Sequence, residues 1–152
     1  MNWFLDLVTN PFLITGVSSW AIAQILKVII HSAVNRKLDL GRLFWDGGMP
    51  SGHSATVCSV AVLAALVYGT GSFSFALAAI LALVVCHDAT GVRRETGKQA
   101  VLLNEMIKIV FVDTDRTPEE KLKELVGHTP LQVTVGALLG ALNAAVMYVV
   151  LF

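Results

Sequence analysis

Charged residues are scarce in this 152-residue chain, at 14% of the sequence where a water-soluble domain carries about a quarter. With 55% apolar residues, this excludes most soluble folds. Eleven basic residues balance eleven acidic ones, so the chain lacks the overall positive field that nucleic-acid binding uses, and we expect no nucleic-acid partner. Only two cysteines are present, too few for a structural metal site, and we predict neither a metal nor another cofactor.

What the chain has instead is four long apolar stretches, in a single domain covering residues 1–152. A bilayer-spanning helix needs about 20 predominantly apolar residues, and each stretch comes near that length or can extend into its flanks. We therefore predict an all-α, polytopic membrane helical bundle with about four spans. An amphipathic helix over 97–112 and a short loop helix over 121–126 complete it. The predicted spans cover residues 11–30, 55–68, 73–86 and 131–152.

The basic residues are concentrated in two regions of the chain. One region lies in and just after the first apolar stretch, and the other lies between the third and fourth. Four spans place both regions on one side, which the positive-inside rule makes cytoplasmic. We predict an integral protein of a bacterial plasma membrane, with both termini outside. The basic residues are Lys27, Arg36, Lys37, Arg42, Arg93, Arg94, Lys98, Lys108, Arg116, Lys121 and Lys123.

Two histidines stand where these basic regions pass into apolar helices. His53 ends the segment GGMPSGH before the second span, and His128 precedes Thr129 and Pro130 before the fourth. Helix N-termini carry unpaired backbone N–H groups and the positive end of the helix dipole, so they bind anions. Imidazole titrates near neutrality and acts as acid, base or nucleophile. The pattern predicts a phosphate site on the cytoplasmic side.

The motifs around both histidines resemble a known superfamily. PSGH at 50–53 is similar to the central motif of the type 2 phosphatidic acid phosphatases (PAP2), which are related to the vanadium haloperoxidases. His128-Thr129-Pro130, with Val133, Gly136 and Gly140, is similar to the last motif of that superfamily. The ordered set GGMPSGHSA, HDATGVRRETGKQA, LLNE and LKELVGHTP resembles the divergent PAP2 family more closely still. The resemblance covers about residues 20–145.

This resemblance implies a PAP2-like core and a metal-independent phosphatase that acts on a lipid-linked phosphate or pyrophosphate through a phosphohistidine. By position, His128 would be the nucleophile and His53 the general acid. Ser51 and the Gly52 N–H would bind phosphate oxygens, and Lys27 stands where the first motif has its lysine. The broader family has more core helices than four, so we expect either re-entrant use of the 97–112 helix or a homodimer.

Three positions depart from the PAP2 pattern. Val34 replaces the arginine of the first motif, for which Arg36 and Arg42 are the nearest substitutes, and Leu122 replaces an arginine of the last motif. Gln132 replaces the aspartate that orients the nucleophilic imidazole, and an amide cannot stabilise imidazolium as a carboxylate does.

Residues at the end of the third span could compensate, because that end lies on the same side as both histidines. Asp88 would supply the carboxylate, and Arg93 or Arg94 the guanidinium. Alternatively, Asp88 pairs with one of these arginines, and the arginines set topology or contact anionic lipid. Lys27 could equally extend to the headgroups as bind phosphate.

Two further functions stay open on the sequence alone. A non-catalytic membrane protein could keep the pocket and bind, sense or move a phosphorylated lipid, which Gln132 and the displaced arginines favour. A helical packing partner in a larger complex is the third hypothesis, favoured by the short spans and by the GxxxG spacing of Gly136 and Gly140.

Overall fold

The computed structural model describes residues 2–36, 38–39, 41, 43, 47–110, 122 and 127–152. These residues form six α-helices and no strand, which confirms the all-α prediction. Arg42 and the predicted loop helix over 121–126 lie outside the described residues, apart from Leu122. The helices are α1 (Trp3–Val8), α2 (Pro11–Asn35), α3 (Gly52–Tyr68), α4 (Phe73–Thr90), α5 (Val92–Val110) and α6 (Pro130–Leu151).

Within the described residues, three helical segments are long and apolar enough to cross a membrane: α2, α6, and the run Phe73–Ile109 formed by α4 and most of α5. The predicted second span, α3, is equally apolar but has 17 residues. At 1.5 Å per residue it measures about 25 Å, a few ångströms less than the hydrocarbon core of a bilayer. The chain is thus a helical membrane protein with three full-length candidate spans and one shorter apolar helix.

The amphipathic helix begins earlier than its sequence pattern indicates. We expected it from residue 97, but α5 starts at Val92, because Gly91 alone separates it from α4. Gly91 departs from helical geometry, with φ −99° and ψ −96°, yet its N–H still donates to the His87 carbonyl oxygen. The membrane helix therefore passes into the amphipathic helix through a single-residue break.

Side-chain caps fix where the main helices begin. The Asn10 side chain accepts hydrogen bonds from two backbone N–H groups of α2, and Ser51, Ser72 and Thr129 each accept one at α3, α4 and α6. Pro11 and Pro130 occupy first helical positions, where no backbone N–H is needed. Thr129 and Gln132 form a reciprocal capping box.

The α3 helix lies at the centre of the bundle and packs on α2, α4 and, most extensively, α6. At Gly136 and Gly140 of α6, an added methyl group would overlap the carbonyl oxygens of Ser51 and Ala55. Only glycine permits this approach, so the GxxxG pair serves helix packing. It brings the N-termini of both helices together, where the Ser51 N–H donates to the Gln132 carbonyl oxygen at 3.1 Å.

Nearer the middle of the bundle, polar contacts join α2 and α6. Asn143 Nδ2 donates to Ser19 Oγ at 2.8 Å and to Ser18 Oγ at 3.0 Å. The Phe12 and Tyr68 rings stack at 5.5 Å, which places the start of α2 and the end of α3 together. Both histidines therefore lie at the other end, as the charge pattern predicts, whereas the orientation in the cell stays a prediction.

We expect Gly140→Ala to lower the free energy of unfolding by about 1–3 kcal/mol, the usual cost of overpacking, because the new methyl group meets backbone rather than a movable side chain. The measurement is thermal unfolding of the purified protein in detergent. Gly71→Ala is the matched control, since nothing lies within 4 Å of a Cβ at Gly71. Equal changes in Tm for the two variants would contradict the proposed helix contact.

Candidate functional site

The two histidine rings lie side by side at the end of the bundle where α3 and α6 begin. Their centroids are 6.4 Å apart, with an angle of 61° between the ring planes. Two groups that act on one phosphoryl group must both reach it, which excludes separations above about 10 Å. His53 and His128 satisfy this condition because of the close α3–α6 contact.

His128 is 3% exposed and is held by contacts with the end of α4 and with the start of α6. Its backbone N–H donates to the Ala89 carbonyl oxygen at 2.9 Å, which ties it to the end of α4. Its Nδ1 lies 3.3 Å from Gln132 Oε1, which also accepts from the Thr129 N–H at 3.0 Å. Because Oε1 can only accept, this contact is a hydrogen bond in the tautomer that carries its proton on Nδ1. The helix cap thus orients the imidazole ring.

Burial lowers the pKa of His128 below its usual 6.5, and the nearby charges of Lys27 and His53 act in the same direction. Hydrogen bonds to Gln132 and to the Gly48 backbone oppose this shift without cancelling it. His128 is therefore neutral at pH 7, as a nucleophilic imidazole must be. A bound anion would favour the protonated ring.

Lys27 belongs to this site rather than to the membrane surface. It is 4% exposed, and its side-chain stem lies under Gly48, where a Cβ would stand 3.3 Å from Lys27 Cγ. Gly48 has φ +102°, a conformation that favours glycine. This burial contradicts the alternative in which the Lys27 side chain extends towards the lipid headgroups.

Ser51 and Gly52 lie at the start of α3, where their predicted phosphate contacts stay predictions. Ser51 is fully buried, and its Oγ accepts from Ser54 N–H at 3.3 Å and Ser54 Oγ at 3.0 Å. Gly52 faces α2, where a Cβ would stand 3.3 Å from Trp20 Cδ1. Both residues therefore also have a structural role.

Asp88 pairs with Arg93 in the structure. Arg93 Nε donates to Asp88 Oδ2 at 2.6 Å, in a half-exposed ion pair. Of the two alternatives for Asp88, the structure therefore has the one in which it pairs with an arginine. Gln132, and not Asp88, faces Nδ1 of His128. A catalytic role for Asp88 and phosphate binding by Arg93 stay predictions.

A cleft of about 260 Å³ opens beside His128, between α5 and the loop before α6. Arg94 lines it, although phosphate binding by Arg94 stays a prediction, and so does Lys98, which was not singled out from the sequence. The spacing of four residues on an amphipathic helix could have indicated that Arg94 and Lys98 share a face. Gly127, at φ +84°, packs directly on the backbone of Arg93 and Arg94 and so holds α5 against this loop.

The sequence model of the divergent PAP2 family matches residues 8–143, and so includes both histidines, Lys27 and the α3–α6 glycines. The chain belongs to the divergent PAP2 family. It is 39% identical over 153 residues to a Bacillus subtilis (strain 168) protein described as "Uncharacterized membrane protein YuiD", with 94% of this chain and 97% of that protein covered. No solved structure matches significantly. In the part of the chain that the structure describes, no group of three His, Cys, Asp or Glu residues could hold a metal ion.

The lowered pKa of His128 predicts a loss of stability in acid. Below about pH 6.5 the unfolded chain binds a proton that the folded protein does not, so the free energy of unfolding falls as pH decreases towards the folded pKa. We expect His128→Gln to reduce the fall in Tm between pH 7.5 and pH 5 by a few degrees. Val133→Ala, a nearby buried substitution without a titrating group, should lower Tm and keep the wild-type slope. An unchanged slope in His128→Gln would contradict the assignment.

Proposed function

We propose that this protein is a membrane-embedded, metal-independent phosphatase that acts on a lipid-linked phosphate or pyrophosphate. The observation that carries the proposal is the 6.4 Å separation of the His53 and His128 rings at two adjoining helix N-termini, beside the buried Lys27. Family membership supports it, because the PAP2 motifs supply a role for each of these residues.

The reaction proceeds in two displacements at phosphorus. The Nε2 lone pair of His128 attacks, the bond from phosphorus to the lipid oxygen breaks, and His53 gives its proton to that oxygen. Water then attacks the phosphohistidine, His53 accepts a proton from the water, and the P–N bond breaks to release phosphate. The neutral state of His128 suits the first step.

Positive potential at the site stabilises the charge that develops on the phosphoryl oxygens. It comes from Lys27, from the N-termini of α3 and α6, and from Arg94 at the cleft. Arg42 is a further phosphate ligand in this proposal. Gln132 fixes the orientation of His128 but adds no negative charge, so we expect slow turnover.

The substrate class follows from the position of the site. The cleft lies at the end of apolar helices, where lipid phosphates reach it by lateral diffusion. In this proposal the protein lies in a bacterial plasma membrane with both termini outside, and the positive-inside rule supports a cytoplasmic position for this end. A homodimer would enlarge the helical core, because four helices form a smaller core than that of the broader PAP2 family.

We expect the purified protein to release phosphate without added metal from at least one member of a panel containing phosphatidate, phosphatidylglycerophosphate and prenyl pyrophosphates. His128→Ala should abolish release, because it removes the nucleophile. Lys108→Ala, on the exposed part of α5, is the control and should retain wild-type rates. Equal inactivity of wild type and His128→Ala across the panel would remove most of the support for an enzyme.

The second candidate function is binding, sensing or transport of a phosphorylated lipid without hydrolysis. It is favoured by Gln132 at the place of the carboxylate and by the engagement of Asp88 with Arg93. In that case phosphate or vanadate would raise Tm in wild type and less in His128→Ala, with no turnover on any lipid of the panel.

Gln132→Glu tests whether the missing carboxylate limits the rate. Glutamate preserves the capping box with Thr129 and places a negative charge at Nδ1 of His128, which stabilises imidazolium. Since loss of a comparable carboxylate costs about 10⁴-fold in a serine protease, we expect kcat to rise roughly 10-fold or more. Gln132→Leu, which cannot accept a hydrogen bond, should be slower than wild type. A glutamate variant no faster than the leucine variant would contradict this role.

A further inference from the structure

The α5 helix has a buried inner face and, opposite to it, an exposed outer face with apolar residues. The inner face contains the buried residues Gly97, Ala100 and Asn104, and Asn104 is bonded through both side-chain atoms to the backbone of Leu122, at 2.9 and 3.1 Å. The outer face is a continuous stripe with i, i+1, i+4 and i+7 spacing, between 47% and 74% exposed. This α5 stripe consists of Leu102, Leu103, Met106 and Ile109.

The stripe lies next to the side of α5 that lines the cleft. Arg94 and Lys98 project from that side, beside His128. The whole helix carries four basic and two acidic side chains, and although Lys98 pairs with Glu95 and Arg93 with Asp88, its net positive charge favours an anionic surface. A polar, net positive flank adjoining an apolar stripe is the arrangement of helices that lie at a membrane surface.

The length of α4 sets the level at which α5 begins. The 18 residues of α4 rise about 27 Å, close to the thickness of the hydrocarbon core, so a bilayer that α4 spans would have its surface near Val92. From there, the Gly127 contact on Arg93 and Arg94 and the Asn104–Leu122 bonds hold α5 at the same end of the bundle as the site.

We propose that α5 lies in the lipid headgroup layer, with the α5 stripe inserted at the ends of the acyl chains. The partner of this surface is the lipid leaflet, with anionic headgroups. Arg94 and Lys98 then stand at the cleft mouth at the level of the lipid phosphates, so that a lipid whose chains follow the stripe presents its phosphate towards His128. This last step rests on the proposed function; the position of α5 does not.

Continuity with α4 supports a lipid partner. The outer residues of α4, among them Leu77, Ile80, Leu81 and Val84, are as exposed as the stripe, and Gly91 alone separates α4 from α5. If α4 spans the bilayer as a monomer, this surface faces lipid. In water, the stripe would form an extended apolar patch, which soluble surfaces rarely expose.

Fluorescence quenching in nanodiscs tests the position of α5. Met106→Cys and Ile109→Cys would carry a bimane label in a background with Cys58→Ala and Cys86→Ala, and Lys108→Cys, on another side of the same helix, is the matched control. In nanodiscs containing phosphatidylglycerol, we expect lipid-borne doxyl groups to quench the two stripe labels several-fold more than the control. Aqueous iodide should show the reverse order.

The unmodified protein provides a second measurement that needs no substitution. A phospholipid with a diazirine near the headgroup end of its acyl chain should cross-link to the peptide spanning 102–109. Iodide quenching of the stripe labels equal to the control, without cross-links, would place α5 in water. Protection from both quenchers would mean that a second copy covers the stripe. Either result overturns the proposal, and neither depends on phosphatase activity.

Discussion

The close approach of α3 and α6 at Gly136 and Gly140 is the constraint on which the rest of the structure depends. Because no side chain separates the two backbones there, the helices remain in contact up to their N-termini, where Ser51 bonds to the Gln132 carbonyl. His53 and His128 each stand at one of these N-termini. Without that contact, the starts of α3 and α6 would lie apart, and the two rings could not reach the same phosphoryl group.

The same geometry explains how a chain with so few charges can hold an anion. Two helix N-termini direct their dipoles and backbone N–H groups at one region, and Lys27 adds a full charge from α2. In the proposed function, burial keeps His128 neutral until an anion binds, and the site would hold negative charge without assembling several cations. Weak screening in this buried environment makes each of these contributions larger than it would be in water.

Much of this arrangement could be predicted from the sequence, because its determinants are local. The Thr129–Pro130 start of α6, the glycine spacing and the concentration of basic residues all have direct physical meanings. The other features of the site depend on tertiary packing. The sequence could not decide whether Lys27 turns inward, or whether Asp88 serves His128 or an arginine, because two partners were within reach of each residue.

Other differences arise where a weak local signal meets a strong tertiary contact. Gly91 suggests an end to the membrane helix, yet the chain resumes helical geometry at Val92. The sequence places Gln132 where the superfamily has its orienting aspartate, and the fold shows that the Gln132 side-chain oxygen both contacts Nδ1 of His128 and closes the cap with Thr129. In the sequence, Lys98 is one of several basic residues on an amphipathic helix. The contact of Gly127 with α5, which brings Lys98 to the cleft, is visible only in the fold.

In the proposed function, His53, His128 and Lys27 form one anion site at the junction of α3 and α6. A crystal structure of the protein soaked with orthovanadate tests this site. We expect vanadium bonded to Nε2 of His128, with its oxygens within hydrogen-bond reach of His53 and Lys27. Vanadate bound only at Arg94 and Lys98, or two histidine rings that contact separate ions, would contradict it.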